Sequence, residues 1–470
     1  MLAYFFPKLK SNKFLQILNK IFVSPYYIAF VAILVCLAEI FSFEFVAYYI
    51  LIALSIVVPS LLLDDMSATI PAAIMMHIAM SKKTFDNENT VLFGKNLPHF
   101  FIMFFIISVC LIGRLVIDLI KNKDRRKHYP RFTIGYVALL LAFVFGGAFS
   151  KYFDIKTVGF GFMEIAAIGG LYFYFIYTID WKKYPKDNFA WIFLFFGLAI
   201  STEIIVLVAQ NYQEITTGWG VRTNIGGTLA MTVGGAGYLT IKKKAYINWL
   251  FPICMLFILT CAGLTESRGG FISTLVIVIV CYILIMVFTN WVSRLTASII
   301  LVIFFTTFLL LYIFQNSFMM DKFGRILDLR IDDLDSYSSG RITIWKTGIK
   351  QWLENPAFGV GWLQTEWTHS KFPAAYHNTF VQLLASTGLI GLIAYIFHRF
   401  ETIFVVFKKP NLEKVYAFIC VMGLMVGSLL DCQFWQVWLG FGYSFLLAFI
   451  EGQDIRNDIS QSILKIKNKN

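Results

Sequence analysis

The sequence predicts an all-α polytopic membrane protein, and three observations predict it. Hydrophobic residues make up 58% of the 470-residue chain and charged ones 14%, with a mean hydropathy of +0.70. Soluble proteins average about 45–50% apolar and about 25% charged residues. Apolar runs of about twenty residues recur from end to end, each long enough to cross about 30 Å of hydrocarbon. The lysines and arginines collect in alternate intervals between those runs, as the positive-inside rule requires. The net charge of +12 is then mostly topology, and nucleic acid is not expected as a partner.

Taken in order, the first run follows Lys8, Lys10, Lys13 and Lys20 and lacks a small-residue cleavage site. It reads as a retained span rather than a signal peptide. The predicted spans are 25–42, 44–63, 66–80, 98–120, 131–149, 158–179, 189–209, 225–241, 247–264, 270–290, 295–315, 378–397, 413–430 and 433–450. The run 66–80 is short and interrupted by Pro71, and the pair flanking Asp431-Cys432 could form a re-entrant hairpin. The expected count is therefore about 12–14 transmembrane helices. Basic clusters at 121–131, 182–186, 242–244, 399–414 and 465–469 share one side with the N-terminus. That side is expected to be the cytoplasm, with both termini on it. The interval 81–97, with Lys82, Lys83 and Lys95, falls on the outer side against the rule. No internal repeat or soluble domain stands out, so the chain reads as one integral membrane domain, 1–470.

The outer side receives the turns near 210–224 and 265–269 and one long loop, 316–377. Within that loop Ser338-Ser339-Gly340 could cap a helix over 341–353, stopped by Asn355-Pro356. Trp345, Ile349, Trp352 and Leu353 would share one face and Lys346 and Lys350 another, the pattern of a helix at the membrane surface.

Three helices are expected to start on that outer side with a basic residue at or beside the first position. Arg268 heads the span 270–290 within Thr265-Glu266-Ser267-Arg268-Gly269-Gly270, and Arg222 precedes Thr223-Asn224-Ile225-Gly226-Gly227. A guanidinium stays charged and binds phosphate oxygens in pairs, and the helix N-terminus behind it adds free N–H groups and the positive end of the dipole. The competing roles are structural: Arg268 could pair with Glu266, and Arg222 could be neutralised by Glu203 or Glu214. His377 precedes Asn378, which would cap the helix starting at Thr379. A histidine there titrates near neutrality and suits proton abstraction, against the alternative of an interfacial histidine bonded to headgroups. His369 is a second proton-handling candidate, and Arg341, Lys346 and Lys350 could steer phosphates or be a solvated face. Glu164 lies inside a span, where an ionisable group is a functional candidate unless it pairs with Arg114 or backbone.

The seven cysteines form no CxxC and no Cys/His pair at metal spacing. Walker, HExxH and GxSxG patterns are absent from the sequence. Neither a metal nor another cofactor is expected.

Together the segments Glu266-Ser267-Arg268-Gly269-Gly270, Arg341-Ile342-Thr343-Ile344-Trp345, Pro356-Ala357-Phe358-Gly359-Val360-Gly361, His377-Asn378-Thr379-Phe380-Val381-Gln382 and Gly388-Leu389-Ile390-Gly391 resemble the O-antigen ligase and O-antigen polymerase family. The likeness covers about residues 220–395. It implies a GT-C-like membrane fold and a glycan transferase of the bacterial inner membrane, inverting and metal-independent, with its site on the periplasmic face. The donor would be a glycan on undecaprenyl diphosphate and the acceptor lipid A core or another lipid-linked glycan, with membrane lipids and other polysaccharide assembly proteins as neighbours. Carried over, Arg222 and Arg268 would hold the diphosphate and His377 would take the proton from the attacking hydroxyl, with Arg341, His369 and Asn378 as further contacts. Around Arg222 the chain departs from the asparagine-rich turn common in the family. Ligase is the leading expectation, with polymerase as the alternative. A protein O-oligosaccharyltransferase, which often carries an extra carboxy-terminal region, and a lipid-linked sugar flippase are more distant.

Overall fold

The computed structural model describes residues 12–79, 97–121, 127–210, 222–314, 316–327, 338, 340–362, 375–432 and 437–467. Each predicted apolar run contains a helix. They are α1 (Lys13–Phe22), α2 (Pro25–Phe41), α3 (Glu44–Leu62, with a π turn at Ala53–Val57), α4 (Thr69–Met75), α5 (Leu97–Lys121), α6 (Thr133–Ala148), α7 (Ile155–Thr178), α8 (Asn188–Ala209), α9 (Arg222–Lys242), α10 (Leu250–Leu264), α11 (Arg268–Phe288), α12 (Trp291–Ile313), α13 (Ser317–Leu327), α14 (Arg341–Glu354), α15 (Thr379–Lys408), α16 (Leu412–Leu430) and α17 (Val437–Lys467). Among the described residues, nine helices are long and apolar enough to cross a membrane, or ten if α1 and α2, bent by 61°, make one span. The predicted all-α polytopic membrane fold is what the structure has. Several of the runs outside that count are short, as α4 and α6 are; α9 and α17 are long but rich in small and polar residues.

Small residues decide which helix sits in the middle. Every residue from 225 to 240 of α9 is buried, and α9 packs against α8, α10, α11 and α16. Glycines let its backbone touch its neighbours: a Cβ on Gly226 would lie 2.1 Å from Gly270 Cα of α11, and one on Gly423 of α16 would lie 2.5 Å from Ala230 O of α9. Close approach of this kind drives helix association where lipid supplies no hydrophobic force between spans. By contrast α12 carries bulky apolar side chains on nearly every face and is almost wholly exposed, as a lipid-facing helix should be.

Helix starts follow the sequence. Ser24, Asp154, Ser267, Asn290, Asn378 and Asn411 each cap a helix with a side-chain oxygen. The α14 start follows Ser338-Ser339-Gly340 as expected: Gly340 is the cap at φ 77°, and Ser338 Oγ accepts from Ile342 N at 3.4 Å. One face of α14 packs on α15: a Cβ on Gly348 would meet Val381 and Tyr376 at 2.5 and 2.7 Å. The helices flanking Asp431 are long, 19 residues for α16 and 31 for α17. The helix α13 was not foreseen; its Phe323 packs edge-on against Phe308, with ring centroids 5.2 Å apart.

The motif pieces Pro356–Gly361 and Gly388–Gly391 turn out to be two halves of one interlock. At Gly388 (φ 66°, ψ −161°) α15 breaks. The loop pairs with the exposed backbone there. Val360 N–H donates to Ala385 O (2.8 Å) and Gly361 N–H to Ser386 O (3.0 Å), while Leu389 N–H donates back to Pro356 O (2.9 Å). Side chains have no room: a Cβ on Gly359 would lie 2.5 Å from Ala385 O, and one on Gly388 would lie 2.3 Å from Ala357 O. This interlock fixes the segment 356–361 against α15, the helix that follows His377.

Candidate active site

Four helix ends meet in one layer. The Gly226–Gly270 contact and the bond from Thr274 Oγ1 to Gly226 O (3.2 Å) set the starts of α9 and α11 side by side. Arg222 is the first residue of α9 and Arg268 the first of α11. The start of α14 joins them, since Arg341 Nη1 lies 3.5 Å from where a Cβ on Gly269 would be and donates to Leu430 O. The start of α15 joins through Asn378, whose Oδ1 accepts from Phe380 N (2.9 Å) and Val381 N (3.1 Å) while Nδ2 donates to Leu429 O (2.9 Å). Two last carbonyls of α16, which no helical N–H can reach, are thus satisfied by Arg341 and Asn378.

Against this end of α16 stands the pair that matters most. His377 Nδ1 is 3.0 Å from Asp431 Oδ1. A carboxylate accepts, so Nδ1 is the donor, and in the neutral ring Nε2 then keeps the lone pair. Asp431 is 7% exposed and His377 37% exposed, so the acid is sheltered and the imidazole remains reachable. Asp431 Oδ1 also accepts from Cys432 N (2.7 Å), and Asp431 N–H donates to Gly427 O (2.9 Å), which fixes the carboxylate. His377 sits at φ 49°. A left-handed conformation in a non-glycine residue stores of order 1–3 kcal/mol and clusters at functional sites. Among the described residues only Ser42, Glu266 and His377 are non-glycines with positive φ, and two of them flank this layer.

A further tier holds His377 in place. Gln382 Oε1 accepts from Tyr376 N (3.2 Å), Gln382 Nε2 donates to Ser386 Oγ (3.0 Å), and the Tyr376 hydroxyl donates to Gln351 on α14. Cys432 Sγ lies 3.5 Å from the same Gln382 Oε1. Burial pushes the Cys432 thiol up to about 12, so it stays protonated and is no nucleophile at neutral pH.

Sequence reasoning named Arg268, Arg341, His377 and Asn378, and the structure brings them together. Arg222 begins the neighbouring helix, and its side chain lies outside the description. His369, Glu214 and the interval 81–96 lie outside the described residues. The alternative partner of Arg268 has a lysine of its own, with Lys322 Nζ 3.6 Å from Glu266 Oε1. Glu164 pairs neither with Arg114 nor with backbone in the bonds seen: it accepts from Trp362 Nε1 at 3.0 Å, while Arg114 binds Asp118 at 2.8 Å. Asp431 and Gln382 were missed. The signal was there, as a lone acid between two apolar runs and a glutamine one turn after the Asn378 cap.

This is a helical membrane protein with a histidine–carboxylate pair beside cationic helix starts. Residues 253–396 match the family model described as O-antigen ligase. The match contains Arg268, Arg341, His377 and Asn378; Arg222 and Asp431 lie outside it. The chain is also similar to the ComP-specific O-oligosaccharyltransferase of Acinetobacter baylyi, with 25% identity over 295 residues. That alignment covers 58% of this chain and 52% of the relative, so the chain spans about half the length of the curated relative it matches.

Proposed function

We infer that the protein is a membrane glycan transferase that moves an undecaprenyl-diphosphate-linked glycan onto an acceptor hydroxyl, in the manner of an O-antigen ligase. The observation that carries this reading is the 3.0 Å contact between His377 Nδ1 and Asp431, made beside the Arg268 helix start. Asp431 orients the ring so that Nε2 accepts the hydroxyl proton. The acceptor oxygen bonds the anomeric carbon from the face opposite the diphosphate, inverting it. The carbon–oxygen bond to phosphate breaks, and its electron pair stays on the diphosphate. Arg268 and Arg222, each at a helix N-terminus, stabilise that developing charge. The proton held by His377 then passes to solvent or product. The basic residues of the opposite bundle end support a reading in which that end faces the cytoplasm and the site faces the outer side of the inner membrane.

The similarity to a protein O-oligosaccharyltransferase favours a second reading, in which the acceptor is a protein serine or threonine. One experiment separates the acceptors. Envelope glycans and glycoproteins are resolved on gels from a deletion strain carrying wild type, Arg268→Ala or His377→Ala. Bare lipid A core with long chains stranded on carrier means ligase, core capped by one repeat means polymerase, and a glycoprotein that loses its glycan means protein transfer. Full rescue by both variants contradicts all three.

A further inference from the structure

A cavity lies at the end of the bundle away from the candidate site. It opens between α1, the turn after α3 and the turn joining α7 to α8, with a volume of about 320 Å³. Small-molecule sites run from about 300 to 1,000 Å³. The end is set by topology, because α8 leads into the α9 start and the α7–α8 turn lies at its other extremity.

Its wall is charged in both signs. Lys20 and Lys183 stand with Asp64, Asp65 and Asp180, and Lys183 Nζ lies 3.5 Å from Asp180 Oδ2. Asp65 is a brace: its carboxylate accepts from Ser67 N and, at 2.8 Å, from Asp180 N. Two lysines against three aspartates give no cationic excess, so a bare anion is poorly matched. A ligand carrying separate positive and negative poles suits the wall. Two further lining residues, Asn19 and Tyr184, each have a side-chain oxygen enclosed with no hydrogen-bond partner among the described residues. Tyr184 is 2% exposed. Enclosed polar atoms are nearly always bonded in folded proteins, so these two call for a polar guest.

The setting identifies the guest. α1 is bent 61° from α2, and it presents Phe14, Ile17 and Ile21 on one exposed face beside Lys13 and Lys20. Such a helix rests in the headgroup layer with its apolar side in the acyl boundary. Asn19 and Lys20 of that helix are also cavity wall. We propose that this cavity binds the headgroup of a zwitterionic aminophospholipid. Lys20 and Lys183 take the phosphate, Asp64, Asp180 and Asn19 Oδ1 take the ammonium, and the acyl chains leave along Phe14, Ile17 and Ile21. The lipid then ties α1 to both turns, beside the direct bond from Asn188 Nδ2, at the start of α8, to Val23 O at 2.6 Å.

The test is lipid retention. Full-length protein is reconstituted in nanodiscs of phosphatidylethanolamine, phosphatidylglycerol or phosphatidylcholine, stripped with detergent and weighed by native mass spectrometry. One phosphatidylethanolamine should stay bound, with the other two lipids retained about tenfold less, the loss expected when a charge-assisted hydrogen bond goes unmade. Phosphatidylcholine keeps both charges but has no N–H to donate, so it probes the carboxylate and Asn19 contacts. Lys183→Gln and Asp180→Asn should each lower retention about tenfold. Tyr184→Phe, which keeps the packed ring, should lower it less and guards against misfolding of the charge variants. Equal retention of all three lipids overturns the proposal, as does wild-type retention in all three variants. Displacement of the lipid by inorganic phosphate at equal concentration would mean a simple anion site and would overturn it too.

Discussion

One helix carries cations at both ends, and they serve opposite purposes. At the C-terminus of α9, Lys242 and Lys243 complement the dipole and meet acids, Lys242 at 3.4 Å from Glu413 and Lys243 at 2.6 Å from Asp187. At its N-terminus stands Arg222, where the dipole opposes a positive charge. The same contrast holds for the bundle. At the far end Lys414 is enclosed, 3.1 Å from Asp454 and 2.6 Å from Val405 O, while Glu451 accepts from Arg131 N at 3.0 Å. At the site end the basic groups head helices, and the imidazole is reachable. A cation already matched by an acid, as Lys242, Lys243 and Lys414 are, is structural; a cation heading a helix at the candidate site is proposed to take an anionic ligand.

The largest effects should come from breaking the site end. His377→Ala should lower transfer of a lipid-linked glycan in membranes by about 10²–10⁴-fold, the usual contribution of a general base, with helix content and detergent stability unchanged. Asp431→Asn should lose less, since it removes an orienting group and leaves the base. At the far end the sign of the result reverses. Lys414→Gln leaves Asp454 with Arg131 as its remaining cationic partner and should lower unfolding stability by about 3 kcal/mol, the low end for a broken buried pair, while transfer per folded molecule stays the same. Midpoints of thermal unfolding in detergent alongside activity per folded protein check this.

Smaller again is the interlock. Gly388→Ala keeps the residue's charge and polarity but forces a side chain onto φ 66° and into Ala357 O. Strain of about 1–3 kcal/mol is expected, with a loss of activity as the His377 helix shifts, measurable by the same pair of assays. The smallest effect tests the rule from the other side. Lys151 and Glu354 are 2.9 Å apart but both exposed, and Lys151→Ala should change neither stability nor transfer measurably.

How much of this the chain disclosed depends on the kind of signal. The helices were legible because crossing a bilayer forces long apolar runs, and each predicted run holds a helix. The Arg268, Asn378 and His377 positions were legible because capping and glycine turns are local chemistry. Asp431 was not, since its meaning comes from a partner 54 residues earlier in the chain, which only the packing of α15 on α16 brings to 3.0 Å. The central place of α9 was hidden for a similar reason: its Gly, Ala and Thr content marks close packing but does not say against which helices. The interlock of Pro356–Gly361 with Gly388 is backbone pairing, and backbone pairing leaves no side-chain code beyond the glycines that permit it.

The most direct measurement is the affinity of purified wild type, Arg268→Ala and His377→Ala for undecaprenyl diphosphate in nanodiscs, set beside single-turnover transfer from the glycosylated lipid. The account predicts that His377→Ala binds the diphosphate as wild type does yet fails to transfer, whereas Arg268→Ala loses binding. Equal binding by wild type and Arg268→Ala, or transfer by His377→Ala at the wild-type rate, would contradict it.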